Sequence, residues 1–244
     1  MRKIKIALLH LLLVAGDVKH NNVLIEKAIY LASKKNANLV ITPELCVSGL
    51  QFSRKIGTSW INRQPYTWMH DLSSFVKTTN STVFLGTPEK GDNGEFYNSV
   101  FVIDNKGYLG KQRKVNSFID DWSSSGNVIE PIKIDDINVG IVICADAYTK
   151  EIAGNLLVKG ADMLIAPSSW GPGLHGPEGE WEQRSLETGL PLIVCNRIGE
   201  DETVSFWDAE SMNIKNGVRI LTHKSKQSAI LSLVGFRKYG LNFF

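Results

Sequence analysis

The sequence predicts an α/β layered domain, on three observations. Short apolar runs alternate with amphipathic segments along the whole chain. Some runs are separated by helical patterns, as parallel strands require, and others by tight turn signals, as hairpins require. No linker-like, low-complexity or repeated segment divides the 244 residues, so one domain over residues 1–244 is expected.

The elements follow in order. "KIKIALLHLLLV" (3–14) reads as a strand and "NNVLIEKAIYLASKKNA" (21–37) as a helix, because Val23, Ile25, Ala28, Ile29 and Ala32 recur at three- and four-residue steps. "NLVITPELC" (38–46) is a second strand, broken at Pro43. A helix is expected over 66–80 and a strand over 81–89. Residues 95–114 form two antiparallel strands around the turn "DNKG". The second half repeats the alternation: strand 137–146, helix 151–161, strand 162–170, helix 181–189 and strand 190–199. Short hairpin-like strands close the chain, the last being "SAILSLVGF" (228–236).

Composition narrows the function. There are 27 basic and 25 acidic side chains for a net charge of +2, and no long basic run, so nucleic acid is not an expected partner. No stretch reaches the roughly 18 apolar residues of a membrane span. Cys46, Cys144 and Cys195 are odd in number and lack a C-x-x-C pair, which argues against a disulfide framework and a zinc ribbon. The histidines show no i, i+4 pairing, so a metal site of sequence-local ligands is not expected. "MRKIKIALLHLLLVAGD" has the outline of a secretory leader, but His10 interrupts its apolar run and the segment leads through a polar loop into a helix. A buried strand, and with it a cytoplasmic protein, is the expectation.

Chemistry collects at strand ends. In open α/β sheets ligands gather beyond the carboxyl ends of the strands. Four apolar runs end in reactive or polar groups: Glu44, Cys144, Ser168–Ser169 and Asn196–Arg197. Polar capping explains Ser168, Ser169 and Asn196 equally well. It suits Glu44 less, because a carboxylate between Pro43 and Leu45 is awkward to solvate. Cys144 reads either as a small hydrophobe or as a nucleophile, since free cysteine is among the most buried residue types. Lys114 lies in a cluster with Lys111 and Arg113, a pattern that usually marks a solvated face.

Together these stretches resemble the carbon–nitrogen hydrolase (nitrilase) superfamily, whose active site is a Glu–Lys–Cys triad. "ITPELCVSG" is similar to the family's segment around its glutamate, "GKQRKVN" to that around its lysine, and "ICADAYTKE" to that around its cysteine, with Cys144, Asp146 and Glu151 matching. The separations of 70 and 30 residues are in family order. "GTPE" (86–89), "YNS" (97–99), "RSLETG" (184–189) and "CNRIG" (195–199) add to the match.

The resemblance implies an α-β-β-α sandwich, pairing through helices into a homodimer or larger homo-oligomer. It implies Glu44 as general base, Cys144 as nucleophile and Lys114, with the Ala145 backbone N–H, as oxyanion donors. Cys46 and Cys195 then read as structural. The expected activity is hydrolysis of a small amide through a cysteine thioester, with no metal or organic cofactor required. Alternatives are a nitrilase, an acyl transferase on the same triad, or a catalytically silent interaction protein.

Three departures bear on substrate choice. Asn116 stands where the family commonly has histidine, and Ala145, Tyr148, Thr149 and Lys150 replace a common Tyr-Asp-x-Arg-Phe-Pro run. Asp120, with Asp121 beside it, falls near the place of an auxiliary glutamate. The glycine-rich stretch 168–181 reads as a pocket-rim loop. Asp120, Tyr148, Ser169, Trp170 and His175 are therefore the candidate auxiliary or substrate-binding residues.

Overall fold

The computed structural model describes residues 2–117, 120–173, 175–237 and 241–243. The chain folds into two mixed sheets packed face to face. The first strand, β1 (Arg2–His10), alternates its side chains between two hydrophobic clusters: Ile4, Ile6 and Leu8 point into one, Ala7 and Leu9 into the other. That period of two lets one strand serve both faces of its sheet.

β1 pairs in parallel with β2 (Leu39–Ile41), and β2 in parallel with β3 (Thr82–Lys90). Antiparallel β4 (Phe96–Asp104) and β5 (Gly107–Arg113) extend that edge. In the second sheet β6 (Ile132–Ile134) pairs antiparallel with β7 (Ile137–Ile141), and β7, β8 (Met163–Ser168) and β9 (Leu192–Asn196) run parallel. Antiparallel β10 (Ser211–Lys215) and β11 (Val218–His223) complete it. The chain then returns to the first sheet. β12 (Ala229–Arg237) pairs antiparallel with β1, Leu233 opposite Ile6, and β13 (Leu241–Phe243) lies beyond it.

Helices cover both outer faces. α1 (Val18–Lys34) and α3 (Thr67–Val76) bury Ile25, Ile29, Met69 and Leu72 against Val40, Val83 and Leu85 of the first sheet. α4 (Lys150–Val158) and α5 (Glu180–Thr188) place Leu156 and Trp181 in the cluster that holds the second sheet. The layers are α-β-β-α, as the resemblance implied.

Element boundaries differ from the sequence reading for local reasons. α1 begins at Val18 rather than at residue 21, because the Asp17 carboxylate accepts the His20 N–H at 3.0 Å and caps the helix. The expected strands 38–46 and 137–146 stop at Ile41 and Ile141, since Leu45 and Cys144 adopt left-handed backbone at φ 47° each. α2 (Phe52–Ile56) and β6 leave no pattern in the sequence. Five and three residues are too few to display a period.

Candidate active site

Glu44 follows the carboxyl end of β2 and is fully buried. Its position depends on Gly86 of β3, where a Cβ would sit 2.3 Å from the Pro43 carbonyl oxygen and 3.1 Å from Glu44 Cα. The buried carboxylate is paired on both oxygens. Oε1 accepts from Asn98 Nδ2 at 2.9 Å and from Lys114 Nζ at 2.9 Å, while Oε2 accepts the Ser169 N–H at 3.0 Å. Ser169 Oγ also donates to the Glu44 carbonyl at 2.9 Å, locking β8 to the glutamate loop.

Lys114 leaves β5 and turns inward. Its N–H donates to the Asn98 carbonyl at 2.8 Å, and its own carbonyl accepts the Gly126 N–H at 2.7 Å. A Cβ at Gly126 would lie 2.7 Å from Arg113 Cβ, so glycine is what lets this segment close over the lysine. Lys114 is 2 % exposed, and its ammonium meets Asp120 Oδ2 at 3.2 Å as well as Glu44. Burial alone would depress its pKa; Glu44, Asp120 and Cys144 outweigh that and hold it well above the ordinary value. Asp120 in turn accepts from Asn98 Nδ2 at 3.2 Å, whereas Asp121 faces Ser53 of α2.

Lys111 and Arg113 are not a solvated face. Both pair with the buried carboxylate of Glu89, and Arg113 also lies over the Tyr97 ring at 3.7 Å. The three basic residues thus divide, Lys111 and Arg113 pairing with Glu89 and Lys114 alone of them with Glu44 and Asp120.

Cys144 opens a tight 3-10 turn, Cys144–Tyr148, directly after the extended end of β7. A non-glycine residue in left-handed backbone is uncommon and costs energy, and such positions gather where a side chain must be held up to a ligand. Asp146 stabilises the turn. Its Oδ1 accepts from the N–H groups of Val115 at 3.0 Å and Asn116 at 2.8 Å, and Oδ2 from Ile143 at 3.0 Å. Asn116 Nδ2 donates to the Ala145 carbonyl at 3.0 Å and to Thr149 Oγ1 at 2.8 Å. From α5, Arg184 donates to the Ala147 carbonyl at 2.9 Å.

The thiol is poised as a neutral group. Burial, then the Glu44 charge, pushes the Cys144 thiol well above its ordinary value, against the pull of Lys114 and the Ser169 backbone. Burial likewise raises Cys46 to about 12, despite hydrogen bonds to Thr42 and Gly86, and drives Cys195 up. Of the three, Cys144 lines a cavity of about 290 Å³, shared with Glu44, Lys114, Asp120, Ala145 and Ser169, and Cys46 and Cys195 do not line it.

The remaining wall comes from loops. Tyr148 and Trp170 pack with ring centroids 4.9 Å apart, and both donate to the His175 carbonyl, Trp170 Nε1 at 2.9 Å. Residue 174 of that loop lies outside the described residues. Opposite stand Leu50 and Thr203–Ser205, a stretch without any motif in the sequence. Arg197 organises it. Buried at the end of β9, it pairs with Asp201 at 3.0 Å, and Asp201 accepts the N–H groups of Leu50 and Gln51 at 3.1 and 3.0 Å. Asn196 acts as a strand cap, exchanging bonds with the Trp170 backbone at 3.1 and 2.8 Å. Ser168 turns back to the Ala166 carbonyl.

The structure thus brings Glu44, Lys114, Cys144 and Ala145 together with the five candidate auxiliary residues, Asp120, Tyr148, Ser169, Trp170 and His175, around one cavity. It adds Asn98, Arg184 and the Leu50–Val204 wall, and gives Asp146, in the sequence only a motif match, the task of holding the turn. Asn98 and Asp146 carried a usable signal, a polar side chain inside an apolar run, which must be paired if buried.

Comparison with known proteins agrees with this fold. A "Nitrilase" of Pyrococcus abyssi is 29% identical over 191 residues, covering 74% of this chain and 70% of its own. An N-carbamoylputrescine amidase of Oryza sativa subsp. japonica is 28% identical over 218 residues, covering 80% and 71%. Saccharomyces cerevisiae Nit3, a nitrilase-superfamily member, superposes with a TM-score of 0.83 at 21% identity over 96% of this chain and 90% of that one. An amidase from Nesterenkonia sp. AN1, with acrylamide added at its active-site cysteine, gives 0.83 at 19% identity over 94% and 92%. The carbon–nitrogen hydrolase family model matches residues 5–232, from within β1 to within β12, and the chain belongs to that family.

Proposed function

We propose that this protein is an amidase that hydrolyses a small amide through a thioester on Cys144. The observation that carries the reading is the buried contact of Lys114 Nζ with Glu44 Oε1 at 2.9 Å, at the floor of the cavity that Cys144 lines. Glu44 is the base, Cys144 the nucleophile and Lys114 the cation.

The chemistry follows from the protonation states. Because the thiol is neutral, attack on the amide carbonyl must be coupled to transfer of its proton to Glu44. The carbonyl oxygen then carries negative charge. An ammonium has three donors, of which Glu44 and Asp120 take two, and the third serves the oxyanion. The N–H of Ala145, next to the strained nucleophile, is the second donor, as at other sharp nucleophile turns. Collapse of the intermediate breaks the carbon–nitrogen bond as Glu44 returns its proton to the departing amine. Water, deprotonated by Glu44, then attacks the thioester; the thiolate leaves, takes back the proton, and the acid is released.

Homo-oligomerisation through helices belongs to the same reading. Leu157 and Val158 of α4 and Leu186 of α5 support it, being 39%, 85% and 58% exposed on the outer layer.

The test is a panel of small amides and nitriles, read as released ammonia and as intact protein mass. Amides should release ammonia and leave an acyl adduct when the reaction is quenched in acid. Glu44→Gln should lower kcat by about a hundredfold or more. Preference for nitriles would make the protein a nitrilase, and faster transfer to added hydroxylamine than to water an acyl transferase. Neither adduct nor ammonia would leave an interaction protein of this fold.

A further inference from the structure

The cavity over Cys144 is unbalanced in charge. Glu44 and Asp120 supply two carboxylates, and Lys114 is the only lysine or arginine among its described lining residues. That ammonium already bonds to both acids, at 2.9 and 3.2 Å. A carboxylate on the acyl part of a substrate would enter a desolvated space of net negative charge with no cation left to meet it.

A cationic acyl part fares no better. Both lining carboxylates sit at the floor and are engaged by Lys114 and Asn98, so neither can turn to a new ammonium without losing its partner. The walls are apolar at Leu50, Val204, Pro172 and Trp170 and otherwise carry the hydroxyls of Tyr148, Ser169, Thr203 and Ser205 and the ring of His175. No further carboxylate, lysine or arginine is among the described lining residues, so the walls bind by area and hydrogen bonding rather than by ion pairing. At about 290 Å³ the space is at the small end for ligand pockets, roughly 300 Å³ and upward.

We propose, resting on the amidase reading, that the enzyme selects amides whose acyl part is small, uncharged and apolar. Leu50 and Val204 form the selecting wall. Arg197 and Asp201 hold it in place by fixing the Leu50 N–H, and the Asp201 N–H donates to the Val204 carbonyl at 2.9 Å.

Two measurements on the full chain test this. The first compares kcat/KM for butyramide, succinamate and γ-aminobutyramide, which match in carbon-chain length and differ in terminal charge. Butyramide should lead each of the others by about tenfold or more, the scale of an uncompensated buried charge. The second reads alkylation of Cys144 by iodoacetamide and by iodoacetate, each normalised to glutathione, with Cys144→Ala locating the label. The neutral reagent should again lead by about tenfold. Val204→Lys, which keeps the backbone bond to Asp201, should raise both succinamate turnover and iodoacetate labelling. Equal use of either charged amide, or equal labelling, would overturn the proposal. If no amide were hydrolysed but the labelling preference held, the amidase reading would fail while the charge selection stood.

Discussion

Asp146 Oδ1 accepts the backbone N–H of Asn116 at 2.8 Å, and this contact joins the turn that carries Cys144 to the segment that carries Lys114. The same oxygen takes the Val115 N–H and the second oxygen that of Ile143. A single carboxylate therefore fixes the relative placement of two side chains of the proposed triad that lie 30 residues apart.

Replacing that acceptor should be felt in both stability and rate. In Asp146→Asn one acceptor becomes a donor facing backbone N–H groups, and a buried N–H left without a partner costs about 1–3 kcal/mol. We expect a lower denaturation midpoint and a kcat reduced at least about tenfold, since a small misplacement of reacting groups is expensive. Wild-type turnover in a correctly folded Asp146→Asn would show that the clamp does not set the site.

Lys114→Met should turn over at least about a hundredfold more slowly, because removing an oxyanion donor costs about 3–4 kcal/mol of transition-state energy. It should also lose about 3–5 kcal/mol of stability, because Glu44 and Asp120 are left buried without their cation. Lys106, exposed in the β4–β5 turn, is the neutral comparison. Lys111→Met belongs between them. It removes one partner of buried Glu89 while Arg113 and Ser99 remain, so stability should fall by about 1–2 kcal/mol with the rate kept. Parallel kcat and unfolding measurements on the three variants separate these outcomes.

His10 gives the fold a pH dependence with a definite sign. Burial first, and the charge of neighbouring His223 second, lower its pKa from 6.5 to about 4. Its Nδ1 shares a hydrogen bond of 2.9 Å with Ser211 Oγ, and the His223 ring packs edge-on at 5.3 Å. The unfolded chain takes up the proton near pH 6.5 and the folded chain only near 4, so this group's contribution to stability rises with pH across that window and is flat above it. Denaturant unfolding from pH 4 to 7 should show wild type gaining up to about 3 kcal/mol relative to His10→Gln. Parallel curves for the two proteins would contradict this.

Much of the fold was legible because each buried strand had to alternate or run apolar, and each covering helix had to repeat at three or four. Ile4, Ile6 and Leu8 against Ala7 and Leu9 show how direct that reading is. Glu44 was legible for a different reason: a carboxylate in an apolar run needs a partner. That partner, Lys114, was invisible without the family pattern, because its neighbours Lys111 and Arg113 carry the same charge and only the fold sends them to Glu89. Least legible was the wall of Leu50 and Val204, brought together through Asp201 from positions some 150 residues apart. Contacts of that range leave no periodic trace.

The most direct measurement is peptide mapping after an amide substrate is mixed with enzyme and quenched in acid. Cys46, Cys144 and Cys195 are all buried, but only Cys144 meets the cavity with Glu44 and Lys114. We expect acyl mass on the peptide holding Cys144, loss of both adduct and ammonia in Cys144→Ala, and retained turnover in Cys46→Ala and Cys195→Ala. Acyl mass on Cys46 or Cys195, or turnover surviving in Cys144→Ala, would contradict the assignment of the nucleophile.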